Sequence, residues 1–169
     1  MDIVRTLEAA RTLRDAVRAN NPPPEEGAPS MEEGVIYFSL VRNTRGYLEK
    51  IVHQINGSYA SGWYDAGAVM IRRLVETLII EVYEKHSLTA NIQTPRGDFL
   101  YLRELIVAIQ GEKSWNLSKN ARAALPRLKD VGDMSAHSRH FVAQRQDIDK
   151  LIPDLRIVVQ ELLALAQLK

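Results

Sequence analysis

Cysteine is missing from all 169 residues, and its absence excludes disulfides, thiolate metal ligands and cysteine nucleophiles together. That fits a reducing compartment, and the chain is expected to be cytoplasmic. Long uncharged apolar runs are missing too, so no membrane span and no membrane partner are expected. The start, Met1-Asp-Ile-Val-Arg-Thr-Leu-Glu8, lacks the basic segment and apolar block of a secretory signal. No glycine-rich phosphate loop of Walker or dinucleotide type occurs, and no cofactor is expected. Metal ligands are not clustered either. The closest histidine pair, His137 and His140, has no obvious third member, so no metal site is expected.

What is present is ordinary in bulk and uneven in detail. Apolar residues make up 46% and charged residues 25%, close to the soluble globular average and enough for one substantial core. The net charge of +1 conceals an asymmetry. Residues 1–34 hold seven acidic and four basic side chains, a net of −3. From Lys113 to Arg145 there are seven basic residues against Asp130 and Asp133, a net of +5. A positive field of that kind suits the phosphates of RNA or DNA. The plainer reading is a solvated face whose charges pair with the acidic N-terminal part.

Helical periodicity runs through nearly the whole chain, and strand alternation is almost absent. Ile3, Leu7, Ala10, Leu13 and Val17 form one stripe of an amphipathic N-terminal helix over residues 1–20. A proline-rich linker over residues 21–34 stops it, because consecutive prolines lack donors and force extended geometry on their predecessors. Residues 35–169 are expected to form the main helical domain. Its first helix runs from after Gly34 to about Ile55, carries Ile36, Leu40, Tyr47, Ile51 and Ile55, and is broken by Asn56-Gly-Ser. The next, Gly62 to Lys85, is apolar on so many sides that it reads as a central helix. Asp98 is expected to cap a helix reaching Gln110 with Phe99, Leu102, Ile106 and Ile109 on one side. Ser118 caps another that reaches Ser138 and bends or restarts at Pro126. Asp147 caps the last, with Pro153 in its first turns and a stripe of Leu151, Leu155, Val158, Leu162 and Leu165.

Candidate site residues gather in two places. Residues 132–140, Gly-Asp-Met-Ser-Ala-His-Ser-Arg-His, put Asp133 and His137 four apart on one helical face, where a carboxylate can orient an imidazole and raise its basicity. His137 reads first as a structural histidine donating to Asp133 or nearby backbone, then as a ligand contact, and last as an acid/base catalyst. Arg139 and His140 read as surface residues able to bind phosphate. Ser135 is two residues from His137 and points elsewhere, so a serine nucleophile is implausible. In the central helix Arg72, Arg73, Glu76 and Thr77 interrupt apolar positions; Arg72 and Glu76 stand at ion-pair spacing, and Arg73 is the preferred partner for Asp133. Tyr59, Trp63 and Tyr64 offer either a stacking surface for bases or a staple at a helix entrance.

The segment Trp63-Tyr-Asp-Ala-Gly-Ala-Val-Met-Ile-Arg-Arg-Leu-Val-Glu76, with Leu128-Lys-Asp-Val-Gly-Asp-Met-Ser-Ala-His137, resembles the domain-of-unknown-function family 4145 of the HEPN superfamily. The resemblance covers residues 55–168. It implies an all-α, HEPN-like up-and-down helical bundle: four core helices, with the N-terminal helix outside them. It also implies a homodimer and, from the family's genomic settings, a defence or stress system with an RNA or protein partner. Many HEPN proteins are metal-independent ribonucleases whose motif runs from an arginine through a polar residue to a histidine. Here Asp133 matches the polar position and His137 the histidine, but Gly132 stands where the arginine would be. No arginine precedes His53, His86, His137 or His140 with four to six residues intervening. A ribonuclease would then use His137 as acid/base, Asp133 to orient it, and Arg139 or Arg73 on phosphate. The expectation is a non-enzymatic module that dimerises and binds a partner through residues among Arg72, Arg73, Glu76, Asp133, His137, Arg139 and His140. The alternative is a ribonuclease with a degenerate motif.

Overall fold

Six helices account for the regular structure of the computed structural model, which describes residues 3–20, in part as backbone alone, and 34–169. They are α1 (Ile3–Asn20), α2 (Gly46–Ala60), α3 (Tyr64–Lys85), α4 (Leu102–Gly111), α5 (Lys119–His137) and α6 (Arg145–Leu165). No strand occurs among the described residues, only an isolated bridge between Gln93 and Phe99. The all-α expectation therefore stands. The linker expected over residues 21–34 lies outside the described residues except for Gly34.

Helix α3 is the axis of the bundle. It packs most extensively against α5, then α2 and α6, and more lightly against α4. Ile71, Leu74, Val75, Leu78, Ile79 and Val82 are all fully buried, which is why its apolar stripe is too broad for a surface helix. Burying each such side chain contributes about 1.5–3 kcal/mol. From α6, Leu155, Val158, Val159 and Leu162 close the core on one side. From α5, Ala121, Ala124, Leu125 and Leu128 close it on another.

Several local expectations are corrected. The helix expected after Gly34 starts only at Gly46, following a single 3-10 turn at Phe38–Leu40. Asn43 takes a left-handed φ of 63°, and Glu49 accepts its N–H at 2.7 Å, so the chain must turn before α2 can begin. Nor does Asn56-Gly-Ser break α2, which continues to Ala60. The Asn56 side chain, 4% exposed, accepts the Ile36 N–H at 3.0 Å and donates to the Ile36 carbonyl at 2.8 Å. A side chain engaged in tertiary bonds no longer competes for its own backbone. Gly34 is needed beside it, because a Cβ there would lie 2.6 Å from Asn56 Nδ2.

Asp98 does not cap α4. It lies in a tight turn in which the Thr94 N–H donates to its carbonyl at 2.8 Å and Gly97 adopts a φ of +89°. The helix starts three residues later than a cap at Asp98 requires, and Phe99 is 39% exposed. Asp147 does help to cap α6, but from inside the first turn: its carboxylate accepts the Gln144 N–H at 2.9 Å. Pro153 consequently falls in the interior of α6, on an exposed position.

Pro126 likewise falls inside α5, which neither stops nor restarts there. Its missing N–H leaves the Arg122 carbonyl without an intrahelical donor. Gln110 Nε2, from the end of α4, supplies one at 2.7 Å, and the Arg122 guanidinium donates back to the Gln110 carbonyl. Ser118 caps α5 as expected, accepting the Ala121 N–H at 3.1 Å.

Candidate functional site

The two candidate segments meet where α3 crosses α5. Arg72 Nε donates to Asp133 Oδ1 at 2.7 Å, and its Nη1 donates to Glu76 Oε2 at 3.2 Å. Lys129, one turn before Asp133, donates to Asp133 Oδ2 at 2.5 Å and to Asp130 at 3.4 Å. The result is a ladder of alternating charge, Glu76, Arg72, Asp133, Lys129 and Asp130, laid across the seam between the helices. Partial burial pushes the Asp133 carboxyl upward, but hydrogen bonds from Lys129 and Arg72 outweigh it and hold the group below its ordinary value. Its hydrogen bond to Asp133 in turn raises the Lys129 ammonium. Both carboxylate oxygens of Asp133 are thereby occupied by cations, which leaves a stable counter-ion rather than a base.

Gly132 explains why the ladder can form. It is buried, and a Cβ at this position would lie 2.6 Å from Arg72 Cβ and 3.0 Å from the Ala68 carbonyl oxygen. The helices touch backbone to backbone here, and the Arg72 stem fills the space a side chain would need. An arginine at position 132 has no room unless α3 and α5 separate.

The structure brings some candidates together and leaves others apart. Arg72, and not Arg73, is the partner of Asp133; Arg73 is exposed and stands about 100° further around the helix. The Asp133 to His137 pairing is absent. His137 is the last residue of α5 and exposed, and its ring makes no hydrogen bond among the described residues. Arg139 and His140 are exposed in the following loop, where Ser138 Oγ accepts the His140 and Phe141 N–H groups at 3.3 and 3.1 Å. Asp65, at the start of α3, accepts the Ala143 N–H at 3.0 Å and holds this loop over the end of the bundle.

The basic stretch is largely spent on internal contacts. Arg122 turns onto the Leu117 and Gln110 carbonyls, Arg127 pairs with Asp154 at 2.7 Å, and Lys129 serves Asp133. Arg145 donates to the Tyr59 hydroxyl at 3.0 Å, and Tyr59 donates to Asp149. Among the described residues the partners come from α2, α4, α5 itself and α6, with Leu117 just before α5; the acidic residues of 21–33 lie outside the described residues. Lys113 and Lys119 remain near the start of α5, and Arg139 remains beyond its other end. Within the 113–145 stretch the cations without a described partner therefore stand at opposite ends of α5.

Around Tyr59 the aromatic cluster divides. Tyr59 and Tyr64 pack edge to face with centroids 5.8 Å apart, as a staple would, whereas Trp63 is 58% exposed. Between α5 and α6 lies an open cleft of about 270 Å³ whose apolar lining is Val131, Met134, Phe141 and Leu151. Arg127, Asp130, Asp147 and Lys150 supply its charged lining. No group of three His, Cys, Asp or Glu side chains suited to a metal occurs among the described residues.

Sequence reasoning passed over Lys129, although its i, i+4 spacing to Asp133 was visible. It also passed over Asn56, Gln110 and Arg156, whose roles depend on segments distant in the chain. Arg156 donates to the Gly34 and Val35 carbonyls at 2.8 and 3.1 Å and to the Tyr37 hydroxyl at 2.7 Å, with its guanidinium 3.8 Å over the Tyr37 ring. It fixes the point where the chain enters the bundle.

No family model, curated protein or solved structure matches this chain. Fold and site define a class by themselves: an all-helical bundle whose central polar ladder is closed on its own charges. No helix among the described residues is long and apolar enough to cross a membrane.

Proposed function

We propose that the chain is a non-catalytic, HEPN-like helical module that dimerises and binds a partner in a defence or stress system. The observation that carries the non-catalytic part is Gly132, whose Cβ position is already occupied by Arg72 at 2.6 Å. A ribonuclease of this type needs an arginine there to stabilise the phosphorane charge and a histidine oriented for proton transfer. Neither requirement finds support. Asp133 is committed to Arg72 and Lys129, which leaves His137 without its orienting carboxylate.

A protein partner suits the surface better than a nucleic acid. Phosphate binding calls for several free cations on one face, and most cations of the 113–145 stretch are paired within the bundle. Exposed apolar side chains point the same way, notably Trp63 at 58%, Val142 at 64% and Met134 at 40%. The deciding experiment incubates the purified chain with mixed RNA in the absence of divalent metal, beside His137→Ala. We expect no cleavage by either and only weak, salt-sensitive RNA retention. Cleavage by the wild type that is lost in His137→Ala would establish the ribonuclease alternative.

A further inference from the structure

Helix α1 presents an apolar stripe that the described part of the chain leaves uncovered. Leu7 is 53% and Leu13 68% exposed, and Ala10 between them is exposed as well. Leucines in this state contribute no burial energy, and a helix of 18 residues ordinarily draws most of its stability from packing its amphipathic face.

The spacing of the stripe is symmetrical. Ile3, Leu7, Ala10, Leu13 and Val17 are separated by four, three, three and four residues, the same sequence of steps in either direction. Their mean step equals the roughly 3.5-residue period of a two-helix seam. A two-fold interface requires a patch complementary to itself. Turned end over end about Ala10, the stripe sets Leu7 level with Leu13 of a second copy, Ile3 with Val17, and Ala10 with Ala10. A small residue at the centre lets the helix axes approach closely.

Charge selects the direction. The helix carries Arg5, Arg11, Arg14 and Arg18 against Glu8 and Asp15. In a parallel pair in register, every arginine stands level with its own copy, and like charges so placed repel. In the antiparallel register Arg5 stands level with Asp15, Glu8 with Thr12, Arg11 with Ala9, and Arg14 with Thr6. None of these positions opposes like charges.

We infer that α1 is a self-association helix, pairing antiparallel about Ala10 with α1 of a second copy of this chain. The inference rests on the dimeric part of the function proposed above and supplies its surface. Pairing through α1 uses none of the residues that line the α5–α6 cleft or form the loop after His137.

The test uses the full chain in sedimentation equilibrium, wild type against the double variant Leu7→Asp, Leu13→Asp. We expect a wild-type dimer and a variant dissociation constant raised at least about a hundredfold, from loss of four leucines per dimer. The thermal transition of the bundle should not move, because both leucines are exposed. Direction is read separately by disulfide trapping, for which the native absence of cysteine is an advantage. Leu7→Cys mixed with Leu13→Cys should cross-link under mild oxidation, and each alone should not. Self-cross-linking of the single variants without the mixed product would overturn the antiparallel pairing. A dimer that survives the double variant would overturn the role of α1 and leave the dimeric reading intact. A monomeric wild type at tens of micromolar would overturn both.

Discussion

Replacing Gly132 by alanine sets two opposed effects against each other, and the structure decides between them. In an open helix the change should stabilise by about 1 kcal/mol, because alanine loses less backbone entropy than glycine. Here the added Cβ would lie 2.6 Å from Arg72 Cβ, 3.0 Å from the Ala68 carbonyl and 3.2 Å from Arg72 Cδ. The first two are the root of a side chain and a backbone atom, so no rotamer change relieves them. Relief to an ordinary contact needs α3 and α5 to separate by about 1 Å, which also disturbs the 2.7 Å bond from Arg72 to Asp133. Overpacking costs about 1–3 kcal/mol, and a clash that no rotamer change relieves belongs to the upper part of that range, about 2–3 kcal/mol. We therefore expect Gly132→Ala to be less stable by about 1–2 kcal/mol after the propensity gain is subtracted. At this chain length that lowers Tm by about 2–8 °C. The assay is urea and thermal unfolding followed by far-UV circular dichroism, with Gly111→Ala as control. Nothing lies within 4 Å of a Cβ at Gly111, so its variant should be unchanged or slightly more stable. Gly132→Ala equal to or more stable than the wild type would refute the close-crossing argument. Gly132→Arg should unfold the bundle further; a well-folded variant that cleaves RNA would instead make position 132 a vacant catalytic position.

Asp133 should leave a mark on acid stability. Its folded pKa lies below the ordinary 3.8, so its contribution is complete above that value and is lost as pH falls through the lower folded pKa. Asp133→Asn should flatten the acid limb of a stability profile below about pH 4 relative to wild type; parallel limbs would remove the ladder from the account. Asn56→Ala strands the Ile36 N–H and carbonyl in a buried site and should cost about 2–4 kcal/mol in urea unfolding, and a loss under about 0.5 kcal/mol would contradict the two-bond clamp. Arg156→Lys keeps the charge but loses the fork that serves Gly34, Val35 and Tyr37, and should cost about 1–2 kcal/mol by the same measurement. A fully wild-type midpoint would show that entry into the bundle is held by other contacts.

The helices were legible because their periodicity is strong, and α3 was recognisable as central because apolar residues occupy so much of its circumference. Their ends were less legible wherever a distant partner decided the outcome. Asn56 stands in a dipeptide that ordinarily signals a turn, and only its clamp on a residue 20 positions away lets the helix continue. Asp98 has the chemistry of a cap, but the positive φ at Gly97 places it inside a turn instead. At the site, the meeting of the Arg72 to Glu76 and Gly132 to His137 segments was foreseen, while the choice of Arg72 over Arg73 depended on helix rotation. The sequence shows a glycine at position 132 but not its role as the contact point between two helices, which depends on how closely α3 and α5 cross.

The exchange between Gln110 and Arg122 has a consequence for how the bundle opens. Pro126 deprives the Arg122 carbonyl of any donor within α5, and the donor it uses belongs to α4. Neither helix end can fray alone without stranding polar groups in a partly buried place. The end of α4, the segment through Trp115 and the first turns of α5 should therefore come loose as one cooperative unit. Amide exchange across residues 106–124 would then report a single opening free energy, shared by two helices that the chain numbers separately.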